Sequence, residues 1–148
     1  ILLYDPDRRT VLLTRQFRYP AYVNEHPDGM LVETAAGLLD GDDPESAIRR
    51  EAAEETGHEV GEVEHLFNLY MSPGSVTERI HFYAATYSRD TAMYPGGGVA
   101  DEGEQIEPVE LAFDDALAAI GTGIVDAKII ILLQWAALRG PFAVGGRP

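Results

Sequence analysis

The sequence has 148 residues, 45% of them hydrophobic, which suffices for one globular domain with a buried core. It contains no cysteine, which excludes disulfide frameworks and thiolate zinc sites, and no apolar run approaches the roughly 18 residues of a membrane-spanning helix. The formal net charge of −14 argues against nonspecific nucleic-acid binding. A phosphate-bearing ligand would need local arginines or a bound metal ion.

The first half of the chain predicts strands followed by one clearly delimited helix. Residues 1–18 indicate a β-hairpin turning at residues 5–7, and residues 29–37 indicate a short strand that ends at Gly37. A helix is predicted to follow, and three residues mark its boundaries: Asp43 as its N-cap, Pro44 in its first turn and Gly57 just past its end.

The second half predicts two paired strands, a glycine-rich acidic loop, a further strand and two closing helices, over residues 62–72, 79–88, 94–105, 106–113, 113–123 and 126–140. Pro108 places the further strand at a sheet edge or a bulge, because proline lacks the N–H that a ladder needs. Asp126 is expected to cap the last helix. This order of elements predicts an α+β fold or an α/β sandwich, as a single domain over residues 1–148.

Three glutamates crowd one face of the predicted acidic helix, at Glu51, Glu54 and Glu55. Residues three and four apart are neighbours on a helix, and like charges there destabilise it by roughly 0.2–0.5 kcal/mol per pair. One interpretation is a solvated face supported by an Arg50–Glu54 pair. The other is a site for a hard divalent cation, which prefers oxygen ligands from carboxylates, waters and phosphates. The small residues 35–37 favour the second, since they let the backbone approach a ligand closely.

Gly37 and the run REAAEETG, residues 50–57, resemble the Nudix box, the signature of hydrolases that cleave a nucleoside diphosphate linked to another moiety. The family pattern is G-x5-E-x7-R-E-U-x-E-E-x-G-U, with U an aliphatic residue. The second half of the pattern is complete here. In the first half the spacing is one residue shorter, Asp42 or Asp43 replaces the first glutamate, and His58 replaces the last aliphatic residue.

Five further segments resemble the Nudix branch that acts on nucleoside diphosphate sugars: RQFR, ETAAGLLD, SPGSVTER, GGGVADEGEQIE and DAKIIILLQW. The resemblance implies an α/β/α sandwich with a mixed sheet, dependence on Mg²⁺ or Mn²⁺, and a cytoplasmic homodimer. GDP-mannose is the favoured substrate and ADP-ribose the alternative, each split into a nucleoside monophosphate and a sugar phosphate. Because the chain begins at Ile1 inside an apolar run, we expect an N-terminal segment to precede it.

Two readings from other functional classes remain: a Nudix-fold binding or regulatory module without activity, and an acidic scaffold whose helix merely faces solvent. The three crowded glutamates argue against the binding module, which does not need them, and titration with Mg²⁺ or Mn²⁺ would separate the alternatives.

The resemblance assigns the metal site to the Ala36 carbonyl, Glu51 and Glu55, with Glu54 as a supporting or bridging ligand. Arg50 is expected to pair with a neighbouring glutamate and hold its rotamer. The alternative interpretation of Arg50 is an ordinary surface ion pair that contributes little to stability.

The general base is expected in the acidic loop, at Glu102, with Asp101 and Glu104 as alternatives. Glycines at 96–98 and 103 predict that this loop is mobile and closes over the substrate.

Two segments supply the predicted substrate contacts, the loop that ends at Glu78 and the strand that carries Arg15 and Arg18. Glu78 matches a position that contacts substrate or metal-bound water in relatives. Arginine pairs bidentately with phosphate oxygens, and Arg15 and Arg18 are the candidates for the pyrophosphate. They fall on opposite faces of a strand, so one of them is expected at the site, and the matching segment favours Arg18.

Overall fold

The computed structural model, which describes residues 1–99 and 105–144, contains six strands and four α-helices within those ranges. The strands are β1 Leu2–Asp5, β2 Thr10–Phe17, β3 Met30–Glu33, β4 Val63–Tyr70, β5 Arg79–Thr86 and β6 Ile106–Ala112. The helices are α1 Tyr19–Val23, α2 Pro44–Thr56, α3 Phe113–Ala118 and α4 Ala127–Leu138, with a 3-10 turn at Arg89–Thr91.

The sheet is mixed and is organised around β2. One edge of β2 pairs antiparallel with β6, and the other is shared by β1 along its first half and β3 along its second. The sheet continues from β1 to a parallel β5 and then to an antiparallel β4. Pro108 lies opposite Thr14 in β6, and among the described strands β6 pairs with β2 alone. The predicted edge position of this strand is therefore confirmed.

Successive side chains of the central strands enter two separate hydrophobic cores. Leu2 and Phe82 pack with α3 and α4 on one face of the sheet, whereas Leu3 and Tyr83 pack with α2 on the other. This alternation is the period of two that a strand imposes, and it requires a sheet buried on both faces. The predicted α/β/α sandwich with a mixed sheet is thereby confirmed.

Two local expectations about the first half are wrong. The third strand ends at Glu33 instead of Gly37, because β1 already occupies the edge of β2 beyond Thr14, which pairs with Glu33. Residues 34–37 consequently run on without a strand partner. The short helix α1 was not expected at all, and it begins directly after Arg18 at the end of β2.

The acidic helix α2 has the predicted ends. The Asp43 carboxylate accepts hydrogen bonds from the N–H groups of Glu45 and Ser46, both at 3.1 Å. Gly57 closes the helix in the left-handed conformation with φ of 76°, and its N–H donates to the Ala53 carbonyl at 2.8 Å. These caps fix the length and rotation of the helix, and hence the direction of its glutamates. In the described part of the chain, no helix is both long and apolar enough to cross a membrane.

Candidate active site

A cleft of about 500 Å³ opens between the start of α2, the segment before it and β5. Among its lining residues are four that the sequence selected: Arg18, Ala36, Glu51 and Glu78. They belong to four different parts of the chain, so the fold brings together groups that are up to 60 positions apart. The cleft therefore combines two glutamates, an arginine and the small residue Ala36.

Glu51 packs directly against Gly37. A methyl group at position 37 would lie 2.5 Å from Oε2 of Glu51 and closer still to its Cδ and Oε1. Only glycine leaves this space to the carboxylate, which gives a physical reason for the glycine that opens the motif. Ala36 precedes Gly37 and lines the same cleft as Glu51, so the two residues assigned to the metal ion meet there.

Arg50 links the glutamates of the helix. Its Nη1 lies 3.0 Å from Glu51 and 3.4 Å from Glu54, and its Nε lies 3.9 Å from Asp42. The pKa of Arg50 is raised, chiefly by the Glu51 charge and then by Glu54. The expected pairing is confirmed, and one cation offsets part of the repulsion between two like charges. The arrangement also separates the two acidic residues of the loop, since Asp43 caps the helix and Asp42 approaches Arg50.

Glu55 lies deeper than the other two glutamates, with 4% of its surface exposed. The pKa of Arg18 is raised mainly by its hydrogen bonds with Glu33 and further by the charges of Glu33 and Glu55. Glu55 therefore acts electrostatically on the arginine that lines the cleft. A buried carboxylate requires a cation or hydrogen bonds to remain ionised.

These groups fit a magnesium-type cation. No group of three or more acidic, histidine or cysteine side chains arranged for a metal ion occurs within residues 1–99 and 105–144. The expected ligand set, Ala36, Glu51 and Glu55, needs only two carboxylates and a carbonyl. Mg²⁺ is typically held by one or two carboxylates together with waters and substrate phosphates. Main-chain and carboxylate oxygens in an open cleft agree with that chemistry.

The two candidate arginines lie in different surroundings. Arg18 lines the cleft, and it donates three hydrogen bonds to Glu33, at 3.0, 3.1 and 2.6 Å. Arg15 instead forms exposed ion pairs at 3.4 Å with Asp28 and with Glu107. This placement supports the choice of Arg18 for a phosphate ligand.

Sequence reasoning missed two charged residues at the site. Glu33 is buried at the end of an apolar strand, and a charge closing such a strand is a signal that it has a partner nearby. Lys128 lines the cleft from the first turn of α4, and its Nζ lies 2.5 Å from the capping Asp126. It is the only lysine in a chain with a net charge of −14, which singles it out in composition alone.

The glycine-rich segment docks onto the C-terminal end of α2. The N–H groups of Gly97 and Gly98 donate to the carbonyls of Glu55 and Glu54, at 2.9 and 3.0 Å. A Cβ at Gly96, where φ is 72°, would lie 2.6 Å from the Glu55 carbonyl oxygen. Gly96 therefore permits a close contact with the end of the helix, and the expected mobility of the loop stays a prediction.

The acidic loop begins and ends beside that contact. Ile106 N–H donates to the Gly97 carbonyl at 3.2 Å, so the strand that follows the loop returns next to the end of α2. The candidate bases Asp101, Glu102 and Glu104 lie outside the described residues. Of the described residues before them, Gly97 and Gly98 bond to the helix that carries Glu54 and Glu55.

Comparison with known proteins agrees with the motif. The NUDIX domain model matches residues 1–133. The chain is 56% identical over 146 residues to a GDP-mannose pyrophosphatase of Pectobacterium atrosepticum, covering 98% of this chain and 75% of that protein. It is 57% identical over 141 residues to one from Yersinia enterocolitica, covering 95% of this chain and 73% of that protein. With this match over most of its length and the motif folded around a cleft, the chain belongs to the Nudix family.

Proposed function

We propose that this protein hydrolyses GDP-mannose to GMP and mannose 1-phosphate. The observation that carries the proposal is the cleft, in which Ala36, Glu51 and Arg18 line one cavity. The names of the relatives support the choice of substrate, since they are described as GDP-mannose pyrophosphatases. In the reaction, water adds to one phosphorus of the pyrophosphate and the bond from that phosphorus to the bridging oxygen breaks.

The acidic residues of the site are assigned to the metal ion and the arginines to the phosphate and to a glutamate. Ala36, Glu51 and Glu55 would hold Mg²⁺, with Glu54 in support, and the ion would neutralise charge on the pyrophosphate oxygens. Arg18, which lines the same cavity, binds a phosphate oxygen. Arg50 holds the carboxylate of Glu51 in place through its 3.0 Å contact.

The attacking water needs a group to accept its proton, and we assign this role to Glu102. The loop that contains it is joined at its base to the end of α2 through Gly97 and Gly98. Glu78 lines the cleft and is assigned to the substrate or to a water beside it.

A nucleotide-sugar panel tests the proposal. The protein is incubated with GDP-mannose or ADP-ribose and Mg²⁺, and phosphate release is measured after phosphatase treatment, with products identified by mass spectrometry. GDP-mannose is expected to give the higher kcat/KM, and Glu51→Gln to abolish most of it. Glu45→Gln, an exposed residue of the same helix that pairs with Arg49, is the matched control and should retain activity. Preference for ADP-ribose would change the substrate, and no hydrolysis with intact metal binding would indicate a binding module.

We further propose a cytoplasmic homodimer. An exposed apolar patch on and beside α1 supports self-association, formed by Phe17, Tyr19, Tyr22 and Val23 with exposures of 47%, 66%, 52% and 58%. Light scattering after gel filtration is expected to give twice the monomer mass, and Val23→Asp to reduce it. A monomer at micromolar concentration contradicts the assembly, and cell fractionation tests the location.

A further inference from the structure

Glu33 is a buried carboxylate at the last position of β3, and 5% of its surface is exposed. Both of its oxygens accept hydrogen bonds from Arg18: Oε1 from Nε at 3.0 Å, and Oε2 from Nε at 3.1 Å and from Nη2 at 2.6 Å. A buried charge of this kind is strongly unfavourable without its partner. Burial and the three hydrogen bonds therefore hold the Glu33 carboxylate in one position.

The pair uses only one edge of the guanidinium. Nε and Nη2 face Glu33, whereas Nη1 has no hydrogen-bond partner among the described residues. The Arg18 side chain remains 43% exposed and lines the cleft. The main chain of Arg18 is held as well. Its N–H donates to the Gly29 carbonyl at 2.8 Å, and its carbonyl accepts from the N–H groups of Ala21 and Tyr22 in α1. Arg18 is thus restrained at its main chain and at its guanidinium, and Nη1 remains available as a hydrogen-bond donor.

We propose that Glu33 is a positioning residue for substrate binding, which holds the guanidinium of Arg18 so that Nη1 is presented to the pyrophosphate. The inference rests on the proposed function, and it extends that function to a residue outside the Nudix box. Glu33 neutralises the charge of Arg18 and so does not add to its attraction for phosphate. Its contribution is the restriction of a long side chain, which otherwise loses conformational entropy when the substrate binds.

Steady-state kinetics with GDP-mannose at saturating Mg²⁺ test this role in Arg18→Ala, Glu33→Gln and the double variant. Arg18→Ala is expected to raise KM about tenfold with kcat nearly unchanged, because it removes binding common to the ground and transition states. Glu33→Gln should raise KM less, by about threefold, again with kcat nearly unchanged. The double variant should match Arg18→Ala, because Glu33 acts through Arg18.

A control variant removes another arginine–glutamate ion pair, one that lies away from the cleft. Glu107→Gln breaks the exposed contact with Arg15 at 3.4 Å and should leave KM unchanged. Thermal unfolding supplies a second readout: Arg18→Ala leaves the Glu33 carboxylate buried without its partner, so adding Glu33→Gln should raise Tm without lowering KM.

Three results of the kinetic and metal-binding measurements overturn the proposal. They are an unchanged KM in Glu33→Gln, KM increases that multiply in the double variant, and a loss of Mn²⁺ affinity in Glu33→Gln, which would make Glu33 a metal ligand. Calorimetric binding of inorganic pyrophosphate separates this inference from the proposed function. If the wild type binds pyrophosphate more tightly than Glu33→Gln but hydrolyses no nucleotide sugar, the function fails and the positioning role stands. If pyrophosphate affinity is equal in both, or absent from both, the positioning role fails.

Discussion

Replacing Gly37 by alanine perturbs the position of one carboxylate. The new Cβ would lie 2.5 Å from Oε2 of Glu51, whereas ordinary contacts of a Cβ lie at 3.4–4 Å. The carboxylate must therefore move by about 1 Å to relieve the contact. Because the clashing atoms are the end of a flexible side chain, Glu51 can rotate into the cleft and the backbone need not move.

The expected consequence is large for activity and small for stability. A misplacement of about 1 Å in a catalytic arrangement costs about 100-fold in rate, which corresponds to about 2.7 kcal/mol of transition-state stabilisation. The free energy of unfolding should change little, since alanine restricts the unfolded chain by about as much as a mild local clash destabilises the fold.

The assay is kcat/KM for GDP-mannose at several Mg²⁺ concentrations, together with thermal unfolding. Gly61→Ala is the control, because a Cβ there meets nothing within 4 Å. We expect Gly37→Ala to lose activity at every Mg²⁺ concentration while Gly61→Ala behaves as wild type. If Gly37→Ala stays within about threefold of wild type, the position of the Glu51 carboxylate does not control the reaction.

Three further predictions address other charges. Glu55→Gln should lower kcat by at least about 100-fold and weaken Mn²⁺ binding in calorimetry, because even the partners of metal ligands are worth 10–100-fold. Glu102→Gln should lower kcat by about 10²–10⁴-fold with unchanged Mn²⁺ affinity; a fall below tenfold would exclude it as the base. The pKa of Glu110 is lowered from 4.5 to about 2, chiefly by its hydrogen bond from Arg8. Its stabilising effect is thus present above about 4.5 and is lost towards about 2, so urea unfolding should show Glu110→Gln less stable than wild type at pH 7 and equal to it near pH 2.

The sequence by itself determined the elements whose signals are local. Asp43 and Gly57 delimit α2 because capping depends on a few neighbouring residues, and Pro108 marked an edge strand because it lacks a donor. Three glutamates within five positions identified the acidic helix for the same reason. Glu51 and Glu55, the two carboxylates that we assign to the metal ion, could be selected from the sequence because they lie one turn apart on one helix.

Only the tertiary structure decided which distant residues meet those elements. The end of β3 depends on β1 occupying the shared edge of β2, and no local signal at residues 34–37 records that competition. The contact of Gly96 with the end of α2 joins segments 40 positions apart. The sequence alone therefore did not show that this glycine permits a close approach of two backbone segments. The partner of Arg18 was likewise hidden, since Glu33 reaches it through the antiparallel pairing of β2 and β3. Burial and strand pairing, which set the energy of such charges, are properties of the assembled sheet.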